Sequence, residues 1–563
     1  MKHSLTYDHY FLYQEITDIM KDFAARYPAY TRLNVIGTSG EGRQILLMEI
    51  TDTASGDFAD KPAYYVEGNI HAGEVTGSMT VMYLMDTLLS NPDDPQIAGL
   101  LKKKTFYLLP RVSPDGSEYY LTHPDTLRSV PRMYPYEEEM PGLQPEDLDG
   151  DGAIRCMRVK SPYGVWKKSS LDPRLMVRRR PDEEEGEFYH IYQEGRILGY
   201  DGLQVKDAPA KFGYDFNRCY PIGWERDYRQ NGAGEFPMIN PETRANADFL
   251  LAHPNVCSCV DMHTSGGLIL YTPGYTDTKG ADPADVALYR ALGQMASEES
   301  GYPLLQLYEE FMPRSYPATH GGFDDFCHFI IGIPAITIEC WDLKARAGIP
   351  RDVPPLENMP DAERERREYR VLQWLDANLP AGEGFKDWTP FDHPQLGPVE
   401  IGGVCSKFVE QNPPIPFLEQ ELAKHVRFML REAKALPDLV FDAITTERLS
   451  DGLYKVEAVV GNRGFMPSYV FKEALKNRKM KPLSITLEGF DRLVEGSAVT
   501  GLGHLEGFSS VGTMNRGYPA RSVEKDPVRK KATWIVRAAA GTKLTLTCSG
   551  DKIGKLTGEI VLE

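Results

Sequence analysis

His71 and Glu74 stand three residues apart in Gly68-Asn69-Ile70-His71-Ala72-Gly73-Glu74, between an apolar run and a stretch of helical pattern. A tight turn into a helix can aim two such side chains at one point, and an imidazole nitrogen with a carboxylate oxygen suits a zinc ion. Alone the pair carries little weight, because His-x-x-Glu is expected about once by chance in a chain this long. Two further sites share its setting. Asp261-Met262-His263 closes a second apolar run, where a lone histidine is more often a satisfied near-core residue than a ligand. Thr337-Ile338-Glu339 closes a third, where a buried glutamate is costly without a purpose. Together His71, Glu74, His263 and Glu339 fall at the carboxyl ends of separate predicted strands, where open α/β sheets build their sites. Two histidines and one carboxylate leave a fourth zinc position for water, and a second carboxylate can take that water's proton. By chemistry alone the set reads as a hydrolase.

The elements that must position these residues follow from the hydrophobic pattern. An amphipathic helix is expected over 10–27. Beyond it, β-like runs at 44–50, 63–70, 105–112, 256–263, 268–272 and 334–340 alternate with helical stretches such as 74–90, 241–252 and 283–300. This predicts an α/β catalytic domain over 1–385, with a mixed, mostly parallel sheet flanked by helices. Residues 113–215 break the rhythm with Pro, Gly and charge and read as a long insertion, about 117–210. Residues 386–436 read as a linker with a helix at 417–435. Strand-like runs at 453–460, 482–489, 532–540 and 543–549, separated by Gly-containing turns, predict an all-β sandwich-like accessory domain over 437–563.

In this order the motifs resemble the zinc carboxypeptidases of the carboxypeptidase A/B-like (funnelin) family, over about residues 5–385. GTSGEGRQI (37–45) resembles the family's early Gly-x-Ser-x-Glu-Gly-Arg segment. Ser113-Pro114-Asp115-Gly116 is similar to its Asn-Pro-Asp-Gly turn, with Ser in place of Asn. The resemblance implies the zinc carboxypeptidase fold, one zinc ion per chain on His71, Glu74 and His263, and Glu339 as general base in the release of C-terminal residues from peptides. It also implies that Asn217 and Arg218 hold the substrate's terminal carboxylate and that Tyr316, in Tyr316-Pro317-Ala318, closes over it. The family sets an oxyanion-stabilising arginine in an Arg-x-x-Arg segment after the turn. Arg155-Cys156-Met157-Arg158 fits that pattern and points to Arg158, although Arg128 and Arg132 lie nearer the turn in sequence. Asp324, in Gly321-Gly322-Phe323-Asp324-Asp325-Phe326, resembles the Asp beneath the side-chain pocket of basic-specific members. It implies a preference for C-terminal Lys or Arg, the other reading being a brace for its own loop. Gly73 departs from the digestive members, which carry an Arg there.

Asp147, Asp149 and Asp151, with Gly152, match the first half of an EF-hand calcium loop, but the twelfth position is Arg158 instead of Glu. The segment reads either as a calcium site completed by another carboxylate or as a loop rich in Asx turns.

The 563 residues are 42% hydrophobic and 26% charged, ordinary values for a globular protein, which makes disorder a poor description of the whole. The net charge, 63 − 81 = −18, argues against nucleic acid as partner. No apolar run approaches the length of a membrane span, and MKHSLTYDHYFLYQEI lacks the apolar centre of a secretory signal, so a cytoplasmic location is expected. The 8 cysteines form no framework and no CxxC, and read as reduced, mostly buried thiols. The expected partner is a peptide with a free C-terminal carboxylate; the oligomeric state stays open. Alternatives within the chemistry are hydrolysis of γ-D-glutamyl-diaminopimelate links in cell-wall peptides and deacylation of N-acyl amino acids. A non-catalytic binder is disfavoured by the presence of all three ligands and the base.

Overall fold

The computed structural model describes residues 1–311, 318–351, 359–476, 480–510 and 528–563. Its main sheet has 8 strands. They are β1 (Thr31–Thr38), β2 (Gln44–Ile50), β3 (Ala63–Gly68), β4 (Thr105–Leu109), β5 (Val256–Thr264), β6 (Leu268–Tyr271), β7 (Leu304–Gln306) and β8 (Ala335–Cys340). The spatial order is β1-β2-β4-β3-β5-β8-β6-β7. The four central strands β4-β3-β5-β8 run parallel, while β1, β2 and β6 pair antiparallel with their inner neighbours. Strands β3, β4 and β5 are buried along their whole length, as a parallel sheet covered on both faces requires.

Helix α1 (Val75–Leu89) follows β3 and is buried at every residue, so apart from Asp86 its sequence is apolar or small all round instead of amphipathic. Two glycines set how closely it lies on the sheet. A Cβ at Gly68 would come within 2.6 Å of the Gly77 carbonyl carbon, and one at Gly77 within 2.7 Å of Met262 O. Backbone therefore rests on backbone across β3, α1 and β5, and the turn between β3 and α1 is delivered close to the end of β5. Helix α2 (Pro283–Ser300) and helix α3 (Ile415–Ala435) pack against each other, and α3 also packs on α1.

Residues 386–436, expected as a linker with a helix, are built into this body. Strands Phe385–His393 and Gly397–Val404 form a 6-stranded sheet with four short strands of the insertion, Cys156–Lys160, Trp166–Lys168, Met176–Arg178 and Tyr189–Gln193. Helix α3 then buries Leu418, Leu422, Phe428 and Met429 in the same core cluster as α1.

The C-terminal part holds two 4-stranded antiparallel sheets. Alternate residues face inward, among them Tyr454, Val456, Ala458 and Val460 on one sheet and Leu544, Leu546 and Cys548 on the other. The period of two in the sequence is thus a set of half-buried strands. Among the described residues no helix is long and apolar enough to cross a membrane.

Candidate metal centre

The turn after β3 is shaped by Asn69, whose φ of 61° lies in the left-handed region, which Asn enters more readily than most residues. Its side-chain amide donates to the carbonyls of His71 and Ala72 (2.8 and 3.1 Å). A second tie runs from Ala72 N to Arg128 O (2.9 Å). These bonds leave His71 and Glu74 pointing at His263, which stands near the end of β5. His71 Nδ1 lies 3.0 Å from His263 Nδ1 and 2.9 Å from Glu74 Oε1, and His263 Nδ1 lies 2.8 Å from Glu74 Oε2. The three side chains are buried.

The outer ring nitrogens fix what these atoms are. His71 Nε2 faces Asp215 Oδ1 at 3.1 Å and His263 Nε2 faces Asp261 Oδ2 at 2.7 Å. A carboxylate there assigns the ring proton to Nε2, so both Nδ1 atoms turn lone pairs toward the Glu74 carboxylate. Acceptors meet acceptors, and the arrangement fits a cation at their centre. The surrounding field is negative. Burial alone would lower the His263 pKa, yet Asp261 and Glu74 hold it well above the ordinary range, so this point attracts positive charge, which a metal ion would supply in place of a second ring proton. Burial likewise opposes ionisation of Glu74, and His71 and His263 hold its carboxyl well below the usual value. Two histidines and one carboxylate, each histidine backed by a second carboxylate, form a mononuclear zinc-type donor set.

Glu339 on β8 is in register with His263 on β5. Burial pushes its carboxyl up to about 7, against the pull of His263 and Arg128. The arginine at this centre is Arg128. Its Nε donates to Asp215 Oδ2 (2.9 Å) and its NH1 to Glu74 Oε1 (3.3 Å). Arg158, expected here from its Arg-x-x-Arg spacing, is instead fixed in the 6-stranded sheet. Its Nε donates to Glu400 Oε2 at 2.8 Å and its guanidinium lies 4.5 Å from the Trp388 ring centroid. The reason is topological: the insertion carries Cys156–Lys160 away to pair with Gly397–Val404, while the residues just after the Ser-Pro-Asp-Gly turn stay beside the ligand loop.

That turn and the early Gly-rich motif meet. Asp115 accepts from Ser39 Oγ (2.6 Å), Glu41 N (2.8 Å) and Arg43 NH1 (2.9 Å). Ser113 Oγ donates to Ser129 O, and Ser129 Oγ accepts from Phe216 N at 3.0 Å. Both motifs thus brace the Arg128-Ser129 segment and, through it, the short turn Phe216–Arg218. On that turn Asn217 Oδ1 accepts from Phe323 N (2.8 Å), and the half-buried Arg218 donates to Asn217 O (2.6 Å). Asn217 therefore ties the Arg218 turn to the helical turn that carries Asp324. Asp324 is buried, with one oxygen accepting from Asp325 N (3.1 Å), and burial next to Asp261 pushes its carboxyl up to about 6. Tyr316 lies outside the described residues.

The calcium expectation is not supported. Lys386 Nζ sits between Asp149 and Asp151 at 2.6 and 2.7 Å, and Arg155 Nε reaches Asp151 at 2.9 Å. Asp147 accepts from Gly150 N and Gly152 N (both 2.9 Å), the local turn bonding that was the other reading. A buried trio of Cys340, Glu421 and His425 also comes within metal-binding reach. There, however, Glu421 already accepts from Trp341 N (3.0 Å) and His425 Nε2 (3.1 Å) and pairs with Lys424. The roles of Asp215 and Asp261 are not apparent from the motifs. The signal available was position, since Asp261 lies two residues before His263 on the same strand face.

A buried cluster of two histidines and one carboxylate at the carboxyl ends of parallel strands, with a further carboxyl beside it, has the donor set of a mononuclear metal site on a mixed α/β sheet. The chain belongs to the zinc carboxypeptidase family, whose model matches residues 16–353. Residues 438–561 match a second family, described as a domain of unknown function. The chain is similar to carboxypeptidase D of Mus musculus, at 34% identity over 111 residues, 20% of this chain and 8% of that protein. It is 32% identical to carboxypeptidase B of Astacus astacus over 110 residues, 20% of this chain and 34% of that one. It is 25% identical to a metallocarboxypeptidase A-like protein of Trichophyton verrucosum over 298 residues, 51% of each chain. The matches thus span less than two thirds of these relatives. Among solved structures, thrombin-activatable fibrinolysis inhibitor matches with a TM-score of 0.39 at 17% identity, over 66% of this chain and 79% of that one.

Proposed function

We propose that the chain is a zinc-dependent carboxypeptidase that removes single residues from the C-terminus of peptides. The observation that carries this reading is the convergence of His71 Nδ1, His263 Nδ1 and the Glu74 carboxylate, with Glu339 in register one strand away. Zinc held by these three residues would supply a Lewis acid that polarises the scissile carbonyl and makes water a nucleophile near neutral pH. Glu339 takes the proton from the attacking water and returns it to the departing amine. The Arg128 guanidinium, fixed by Asp215 and Glu74, offers a cation where negative charge develops on the carbonyl oxygen. Arg218 presents a planar fork for the terminal carboxylate and Asn217 adds a neutral donor. On the resemblance, Tyr316 closes over that end. Asp324 has no ion-pair partner among the described residues, which supports a pocket floor for a Lys or Arg side chain.

The test is to incubate the zinc-loaded protein with a mixed peptide library and to read products by mass spectrometry beside a chelated control. Single C-terminal Lys or Arg residues should be lost, and chelation should stop the loss. An intact library from a protein shown to hold zinc would overturn the reading and turn attention to γ-D-glutamyl-diaminopimelate links and N-acyl amino acids.

A further inference from the structure

Glu74 holds two positions at once. It is the proposed zinc ligand, and it is the residue that opens helix α1, in the place where a side-chain oxygen ordinarily accepts a backbone N–H of the first turn. Its carboxylate turns away to His71 and His263, and it makes no such capping bond. The acceptor comes from 336 residues further along the chain: Asn412 Oδ1 receives Thr76 N at 3.1 Å and Thr76 Oγ at 2.8 Å. The other half of the same amide holds the other side of Glu74, with Asn412 Nδ2 donating to Gly73 O at 2.7 Å. Asn412 is itself held by Tyr120 OH (3.2 Å) and Lys407 O (3.0 Å), and it is fully buried. Next to it, Gln411 and Tyr120 fill the room a side chain at position 73 would need, since a Cβ on Gly73 would meet Tyr120 Cε2 at 2.7 Å and the Gln411 amide at 2.8 Å.

We propose that Asn412 is a positioning residue of the metal centre, which caps helix α1 in place of Glu74 and so leaves the Glu74 carboxylate free to bind zinc. The inference rests on the zinc reading above. It makes residues 407–412, which lie past the 16–353 span of the family match, a working part of the centre. The physical argument is competition. Without the Asn412 amide the first-turn N–H of Thr76 lacks its acceptor, and Glu74 stands at the position from which a side-chain oxygen ordinarily supplies one. Each time Glu74 turned to cap its own helix, zinc would lose a ligand.

The experiment is a zinc titration of the full chain against a chromogenic chelator, with thermal unfolding of the zinc-free proteins alongside. Asn412→Ala should weaken zinc binding about 10–100-fold, the range for residues that orient metal ligands. Thr76→Val keeps the fold with a milder change and should weaken it less. Asn412→Asp keeps the capping oxygen but sets a carboxylate against Gly73 O, so its zinc affinity should also fall. Val409→Ala, which trims a buried side chain of the same segment in one cluster with Trp341, is the matched control. It should lower thermal stability and leave zinc affinity as it was. Unchanged affinity in both Asn412→Ala and Thr76→Val would overturn the inference, as would an equal loss in Val409→Ala. Zinc that fails to bind the unaltered chain, or that binds equally well after His71→Ala, would overturn the zinc reading itself and this inference with it.

Discussion

At the scale of single residues the two arginine readings separate cleanly. Arg128 spans Asp215 and Glu74, whereas Arg158 is bound to Glu400 and stacked near Trp388. Arg128→Ala is expected to lower kcat/KM by about 100–1,000-fold, the loss typical of one oxyanion donor, whereas Arg158→Ala should leave it within a few-fold. Steady-state kinetics on a peptide ending in Lys would check both, and the opposite ranking would return the role to Arg158. The base carries a pH signature. As the proposed base, Glu339 would work as a carboxylate, so activity should fall as pH drops through its pKa and recover as pH rises. Burial pushes that value up to about 7, and a bound divalent cation adds a downward pull, so the acid limb of kcat/KM is expected at or below pH 7. Glu339→Gln should remove the activity while zinc stays bound; a retained acid limb in residual turnover would assign it to another group. Asp324→Asn should cut kcat/KM for C-terminal Lys far more than for C-terminal Leu. An equal effect on both would make Asp324 a loop brace.

At the scale of elements, what the sequence reveals depends on how each strand is buried. Strands β2, β3, β4, β5 and β8 are apolar runs because both of their faces are covered, and each is legible as such. The edge strand β1 is not. Its burial pattern is irregular, and a register shift between Val35 and Gly37 breaks the alternation. The insertion sheet is harder still. Trp166–Lys168 and Met176–Arg178 are too short for any period, and the sheet is completed by Phe385–Val404 from far along the chain. The same distance effect hides Asn412, whose partners at Gly73 and Thr76 no local pattern announces, and sets Arg158 in the insertion sheet, away from the centre that its spacing suggests. His71, Glu74, His263 and Glu339 stand out as candidates in the sequence because they fall at or just past the carboxyl ends of strands of the parallel core. For the Asp147–Asp151 loop the structural account is concrete: Lys386 supplies the cation. Millimolar calcium or its chelation should therefore leave the melting temperature of the zinc-loaded protein unchanged, and a calcium-dependent rise in calorimetry would reinstate an ion.

At the scale of the whole molecule, the C-terminal region and the metal-binding body share one core. Met466, Val470 and Phe471 belong to the same buried cluster as α1, α2 and α3. Phe471 meets the rings of Tyr289 on α2 and His328, at 5.0 and 5.3 Å between centroids. Tyr289 OH in turn accepts from Ala335 N (3.3 Å), at the start of the strand that carries Glu339. Asp285 accepts from Lys472 N and Glu473 N (2.7 and 3.0 Å), and Lys552 Nζ donates to Val256 O (2.8 Å) at the start of β5. Where this network reaches the main sheet it does so at the beginnings of β5 and β8, opposite to the ends that carry His263 and Glu339. That placement gives Phe471 a role in stability without one in metal binding. Phe471→Ala should cost about 3–5 kcal/mol, as removal of a fully buried aromatic side chain does, read as a lower midpoint in guanidinium unfolding. Its zinc affinity in the folded state should match that of the unaltered chain, the reverse of the pattern expected for Thr76→Val. A midpoint that does not move would mean the C-terminal sheets are held by their other contacts. A zinc affinity that falls along with the midpoint would mean that strain at the start of β8 is transmitted along the strand to the metal end.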